Sequence, residues 1–155
     1  MGEADKAYER ALTFLEKRDR TEREIADRLA RDGFSEDAAM QALGRLREAG
    51  LVDDADYAAR YVEALAAKGR GRLRIAEEMR RKGLPGELVR NTLEDLNTAE
   101  DECGRALAEA RKAFALVPEG TEPRKAMAKV SRRLAALGFS YDVIGEAVNR
   151  LKNLD

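Results

Sequence analysis

The chain has 155 residues, of which 38% are charged and 5% aromatic, and its 29 basic and 30 acidic side chains leave a formal net charge of −1. An apolar content of 44% is enough for a thin helical core and argues against wholesale disorder. With no His and one Cys, the common nucleophile–base pairs, His-based metal sites and an intrachain disulfide are excluded.

Taken in chain order, the periodicity predicts helices throughout and no strand. Tyr8, Ala11, Leu12 and Leu15 form the apolar stripe of a first helix. Thr21 with Glu24 three residues later reads as a capping box opening a second helix. Gly33 ends it, where a positive φ suits glycine. Ser35 then caps a third helix, with Glu36 and Asp37 in its first turn and Phe34 placed to staple against Ala39.

Asp53 is the expected cap of the next helix, with Asp56 in its first turn and Tyr57, Ala58, Tyr61, Val62 and Leu65 as its stripe. Gly69 and Gly71 break the chain before the helix of Ile75 and Met79, and Pro85 suits the start of another. A third group begins near Thr98, with Cys103, Leu107, Ala110 and Phe114 facing inward. The loop from Pro118 to Pro123 follows, and Ser140 caps the last helix with Phe139 and Ile144 as its staple.

One pattern is written three times. Ile25, Leu29, Gly33 recurs as Ile75, Met79, Gly83 and as Val130, Leu134, Gly138, at intervals of 50 (83 − 33) and 55 (138 − 83) residues. A repeat of this length is a supersecondary unit that buries its apolar face mainly against its neighbours. The expected fold is all-α, with three tandem three-helix repeats over residues 1–51, 52–97 and 98–155.

Little in the chain suggests chemistry. Asp53, Asp54 and Asp56 could hold a hard cation, but at a helix start they already serve as cap and dipole partners. Gly69-Arg70-Gly71 lacks the rest of any nucleotide fingerprint. No catalytic, metal or cofactor-binding residue is expected, and Cys103 reads as structural. The lone thiol points to a reducing compartment. No apolar run reaches the roughly 20 residues of a bilayer span or opens the chain as a signal peptide, so a soluble cytoplasmic monomer with no membrane partner is expected.

Charge is distributed more tellingly. Lys68 to Lys82 holds seven basic residues against Glu77 and Glu78, a sum of +5. Arg124 to Arg133 holds five with no acid, again +5, whereas Lys17 to Arg31 sums to only +2, with six basic and four acidic residues. Pairs such as Arg74 with Glu78 and Glu77 with Arg81 neutralise part of the second stretch and none of the third. The candidate partner-binding residues are therefore Arg70, Arg72, Arg74, Arg81, Lys82, Arg124, Lys125, Lys129, Arg132 and Arg133. The aromatics fall on or beside the apolar stripes, with Tyr141 the possible exception, so stacking on single strands is not supported.

The run Gly50-Leu51-Val52-Asp53-Asp54-Ala55-Asp56-Tyr57-Ala58 resembles the GxxDDxxxA signature of the RecX family, regulators of the RecA recombinase. Thr21-Glu22-Arg23-Glu24-Ile25 with Gly33-Phe34, Gly71-Arg72-Leu73-Arg74-Ile75 with Arg81-Lys82-Gly83-Leu84, and Gly138-Phe139-Ser140-Tyr141-Asp142 appear in the family's order. The resemblance implies three tandem three-helix repeats forming an elongated, curved module, in a non-enzymatic protein that lies in the groove of the RecA–DNA filament. Such a protein would lower ATP hydrolysis, strand exchange and filament growth, with DNA as a weak partner by itself. Family members often carry basic residues just before the third Gly-Phe-Ser, where this chain has Ala136-Leu137 and its charge sits earlier, at Arg132 and Arg133. The alternatives from other classes are a helix-turn-helix-like module that binds DNA directly and a helical scaffold for a different protein partner.

Overall fold

The computed structural model describes residues 1–96 and 99–153, with the backbone alone at 99 and 100. Among these residues the chain forms nine helices and no strand: α1 (Glu3–Leu15), α2 (Glu22–Arg31), α3 (Glu36–Glu48), α4 (Asp54–Ala67), α5 (Arg72–Arg81), α6 (Gly86–Leu96), α7 (Ala99–Ala115), α8 (Pro123–Ala136) and α9 (Tyr141–Lys152). They fall into three tandem trios, an all-α repeat fold. The start of the third repeat expected near Thr98 lies outside the described residues.

Caps set most of the helix starts. The Thr21 hydroxyl accepts from the Glu24 N–H at 3.2 Å while the Glu24 carboxylate accepts from the Thr21 N–H at 3.0 Å, which satisfies two otherwise orphaned donors reciprocally. Ser35 and Ser140 accept from the N–H groups of Ala38 and Val143. Asp53 accepts from that of Asp56 at 3.1 Å. The second helix of each trio ends on a glycine of positive φ, at 89° for Gly33, 83° for Gly83 and 97° for Gly138.

The large apolar residues of the thrice-written pattern are fully buried. Ile25, Leu29, Ile75, Met79, Val130 and Leu134 all have 0% exposure, and burying each such side chain contributes about 1.5–3 kcal/mol. In the first repeat Ile25 and Leu29 pack with Ala7 and Ala11 of α1 and with Ala38, Ala42, Leu43 and Leu46 of α3. In the third, Val130 and Leu134 pack with Ala106 and Ala110 of α7 and with Val143, Ala147 and Val148 of α9. Alanines on the first helices leave room for the large side chains of the second.

Three local expectations are corrected. Leu12 is 37% exposed, because Ala7 and Ala11 form the buried edge of α1 and Leu12 lies on its flank. Phe114 is 44% exposed: α7, at 17 residues, is longer than α1 and α4, at 13 and 14, and its last turn borders a groove instead of the core. Pro123 is the first residue of α8, where its missing N–H is no loss, and does not belong to the loop.

The chain divides into two compact units, Met1–Arg60 with Met79–Val89, and Tyr61–Glu78 with Arg90–Asp155. Each helix of the middle repeat therefore contributes to both. Within each unit the same kind of junction occurs, the N-terminus of one second helix meeting the glycine turn that ends the next. In the first unit the buried Thr21 hydroxyl donates to the Lys82 carbonyl at 2.6 Å, and Gly83 leaves room for the Arg23 side chain. In the second unit the Gly71 N–H donates to the Leu137 carbonyl at 2.8 Å and the Leu73 N–H to the Gly138 carbonyl at 3.0 Å.

A Cβ at Gly71 would stand 2.5 Å from the Gly138 carbonyl and the Phe139 nitrogen, which are backbone atoms with little freedom to move. Gly71→Ala is expected to destabilise by about 1–3 kcal/mol. Gly145→Ala in α9, where an added Cβ meets nothing within 4 Å, is expected to stabilise by about 0.5–1 kcal/mol, raising Tm by about 1–4 °C. Thermal melts followed by helical circular dichroism check both signs.

Candidate partner-binding surface

Positive charge becomes a site only where no carboxylate answers it, so the ion pairs locate the surface. In the Lys17–Arg31 stretch all four acids are answered. Asp19 pairs with Arg60 at 2.9 Å, Glu22 with Arg47 at 2.7 Å, Glu24 with Arg18 at 3.0 Å and Asp27 with Arg23 at 3.4 Å. Beyond it, Asp32 is held between Arg10 and Arg28 at 2.7 and 3.1 Å. The hydrogen bond from Arg10 is the main reason its carboxyl sits below the ordinary value. Arg20 and Arg28 also lie over the Phe14 ring, at 4.0 and 5.3 Å from its centroid.

In α8 the situation is reversed. Arg124, Lys125, Lys129, Arg132 and Arg133 are all exposed, and none forms an ion pair with a described residue. The inward residues Ala126, Val130 and Leu134 recur every four positions, which leaves the basic residues on the remaining faces of the helix.

The candidates around α5 are more engaged. Arg70 is half-buried, and its Nη1 donates to the Lys68 carbonyl at 2.9 Å. Arg72 is half-buried with its N–H bonded to Glu102. Arg74 faces Glu78 at 3.5 Å and donates from Nη1 to the Ala136 carbonyl at 3.2 Å, in the last turn of α8. A cation at a helix C-terminus is favourable by about 0.3–1 kcal/mol, so Arg74 also fastens α5 to α8. Lys82 lies 3.8 Å from Glu24, and Arg81 is exposed and has a partner of its own. Arg70, Arg72 and Arg74 share a compact unit with α8, whereas Arg81 and Lys82 belong to the other.

Two carboxylates outside the candidate set position this framework. The Asp54 carboxylate accepts the first N–H of α2, from Glu22, at 3.0 Å. Glu102, only 5% exposed, accepts the first N–H of α5, from Arg72, at 3.1 Å. In each case the first helix of one repeat caps the second helix of the preceding one. The two adjacent aspartates thus divide the work: Asp53 caps its own helix and Asp54 caps α2. Glu102 was legible only as a carboxylate in register with Ala106 and Ala110, at four-residue spacing on a buried stripe. Among the described residues no cluster of three metal-ligating side chains occurs, and no helix is long and apolar enough to cross a membrane.

Family models for RecX match the chain three times in succession, the first three-helix domain over residues 7–46, the second over 53–93 and the third over 100–148. The chain belongs to the RecX family. Among its relatives, the regulatory protein RecX of Clostridium perfringens (strain 13 / Type A) is 33% identical over 145 residues, covering 92% of this chain and 67% of the relative. That of Mycobacterium marinum (strain ATCC BAA-535 / M) is 35% identical over 145 residues, covering 88% and 79%. The crystal structure of RecX from Lactobacillus salivarius superimposes with a TM-score of 0.86 at 25% identity over 97% of both chains. A second RecX crystal structure gives 0.82 at 29% identity, over 95% of this chain and 73% of the other.

Burial is the main influence on the Asp54 carboxyl and holds it above its ordinary value of 3.8, with the Glu22 N–H opposing. A raised acid contributes stability that is present below its unfolded value and lost as pH rises through the folded one. Asp54→Asn keeps an acceptor for the Glu22 N–H and removes the charge. Its Tm is expected to gain on the parent as pH rises from below 3.8 to neutrality. Asp54→Ala orphans the N–H and is expected to lose about 1–3 kcal/mol. Denaturation across that pH range measures both.

Proposed function

We propose that this chain is a non-enzymatic regulator that binds the RecA–DNA filament and lowers recombinase activity: ATP hydrolysis, strand exchange and filament growth. The observation that carries the reading is the set of five exposed cations on α8, none ion-paired with a described residue, in a chain matching RecX repeats over nearly its whole length. Polyanionic filament surfaces, whether acidic protein or DNA phosphate, are what such a helix would meet. Three repeats in one chain add weak contacts through effective concentration. The relatives are named regulatory proteins, and the chain has no His for the common acid–base chemistry.

In this reading Arg124, Lys125, Lys129, Arg132 and Arg133 make the principal contacts. Arg70, just before α5, and Arg72 and Arg74 within it extend them, and Arg81 and Lys82 contribute from the other unit. Arg74 has a double role, because its guanidinium stands beside Ala136 while also holding the helix junction. The protein acts as a cytoplasmic monomer by occupying the filament, and DNA without RecA is a weak ligand.

The test is DNA-dependent ATP turnover by the RecA of the same organism during titration with this protein. The Arg132→Glu/Arg133→Glu double variant is expected to need about tenfold more protein for half-inhibition, a loss of about 1.4 kcal/mol, and to show a shallower salt dependence. Unchanged inhibition would remove α8 from the interface. Equally tight binding to naked DNA would favour the direct DNA-binding reading instead.

A further inference from the structure

The third repeat carries a second recognition feature apart from the cationic faces. A groove of roughly 870 Å³ opens between the end of α7, the loop that follows it, the first turn of α8 and the end of α9. This lies within the usual size range of binding pockets, about 300–1,000 Å³. Phe114, Val117, Met127 and Leu151 supply apolar walls, and Arg124 and Lys152 are the cations on its lining. Neither cation is ion-paired with a described residue. Glu119 is the carboxylate present.

The wall opposite α9 is a built turn. The Thr121 N–H and hydroxyl both bond the Pro118 carbonyl, at 3.2 and 2.6 Å, and Gly120 adopts a φ of 82° at the bend. The groove is therefore held open by local hydrogen bonds. Its edge also includes the start of α8, where the N-cap residue Glu122 makes no side-chain capping bond and Pro123 has no N–H. The next N–H groups, including that of Arg124, form the positive end of a 14-residue helix. An apolar trough, two unanswered cations and an uncapped helix start thus meet at one place, where an apolar side chain would be buried and a neighbouring carboxylate held.

We infer that this groove is a docking site for an acidic, apolar peptide segment of a protein partner, one that seats a Leu- or Phe-sized side chain on Phe114, Val117 and Met127 and sets an adjacent carboxylate against Arg124, Lys152 and the α8 N-terminus. The cationic lining selects the acidic segment over a basic or purely apolar one. The inference shares Arg124 with the filament reading but uses none of the contacts at Lys125, Lys129, Arg132 or Arg133, and its test contains neither RecA nor DNA, so the two can fail separately.

The test is two-dimensional NMR of the isotope-labelled full chain, titrated with three synthetic peptides. One carries a single Phe flanked by Asp and Glu, one replaces the Phe by Ala, and one replaces the acids by Lys. Saturable shifts confined to the segments around Phe114–Met127 and Leu151–Lys152 are expected for the first peptide alone. Arg124→Glu/Lys152→Glu, and separately Phe114→Ser, are expected to weaken it at least about tenfold while each variant keeps the parent's helical spectrum. Phe114 is 44% exposed and its loss leaves the core intact. Absence of binding by the acidic Phe peptide, equal binding by the Lys peptide, or unchanged binding by both variants would overturn the inference. So would concentration-dependent shifts of the same residues without peptide, which would make a second copy of the chain the occupant.

Discussion

The fold depends on how closely the backbone turn ending one second helix approaches the start of another. Gly138 turns the chain at a φ of 97°, and the facing Gly71 has no side chain to hold the two segments apart. Only with both glycines in place do the N–H groups of Gly71 and Leu73 reach the carbonyls at the end of α8. The three-residue pattern ending in glycine is thus more than a helix with its stop signal. Its large apolar residues fill the centre of a trio, and at Gly83 and Gly138 its glycine turn receives the start of the preceding repeat's second helix. A repeat protein of this size has only thin cores to rely on, and the junctions are where one repeat stabilises the next.

Charge follows the same division into repeats. In the first, arginines are matched with carboxylates on neighbouring helices, each pair worth about 0.2–1 kcal/mol at the surface. Two guanidiniums are further occupied on the Phe14 ring. In the third, the second helix has basic residues along its length and no acid beside them. A net charge near zero thus hides a local contrast between a first repeat whose α2 acids are paired and an α8 that carries five cations and no acid. α5 stands between these cases, since its arginines are partly tied to structural tasks and partly open.

Much of this was legible in the sequence because the signals are local. Thr21 with Glu24, Ser35, Asp53, Ser140 and the three glycines each act within a few residues, and the buried stripe follows from helical spacing alone. Phe114 was misplaced because a stripe does not say where along a helix the neighbours end, and Leu12 because a stripe does not say how wide the buried edge is. The tasks of Asp54 and Glu102 were missed for a related reason. Each caps a helix some 30 residues earlier in the chain (32 for Asp54, 30 for Glu102), and no short-range pattern distinguishes a carboxylate that caps its own helix from one that reaches another. Of the cationic stretches, the Arg74–Glu78 pair followed from helical spacing, whereas the bonds of Arg74 to Ala136 and of Lys82 to Glu24 did not, because those partners are distant in sequence.

The two junctions respond differently to substitution. At Thr21 the link passes through a hydroxyl, which both receives the cap and reaches the Lys82 carbonyl. Deleting a single oxygen there loosens cap and link together. At Gly71 the central link is main chain to main chain, so truncating Arg74 would remove only the flanking bond to the Ala136 carbonyl, while added bulk at Gly71 would strike the link itself. One junction is therefore weakened at its centre by subtraction and the other by addition, which gives mutation two distinct handles on how firmly successive repeats hold together.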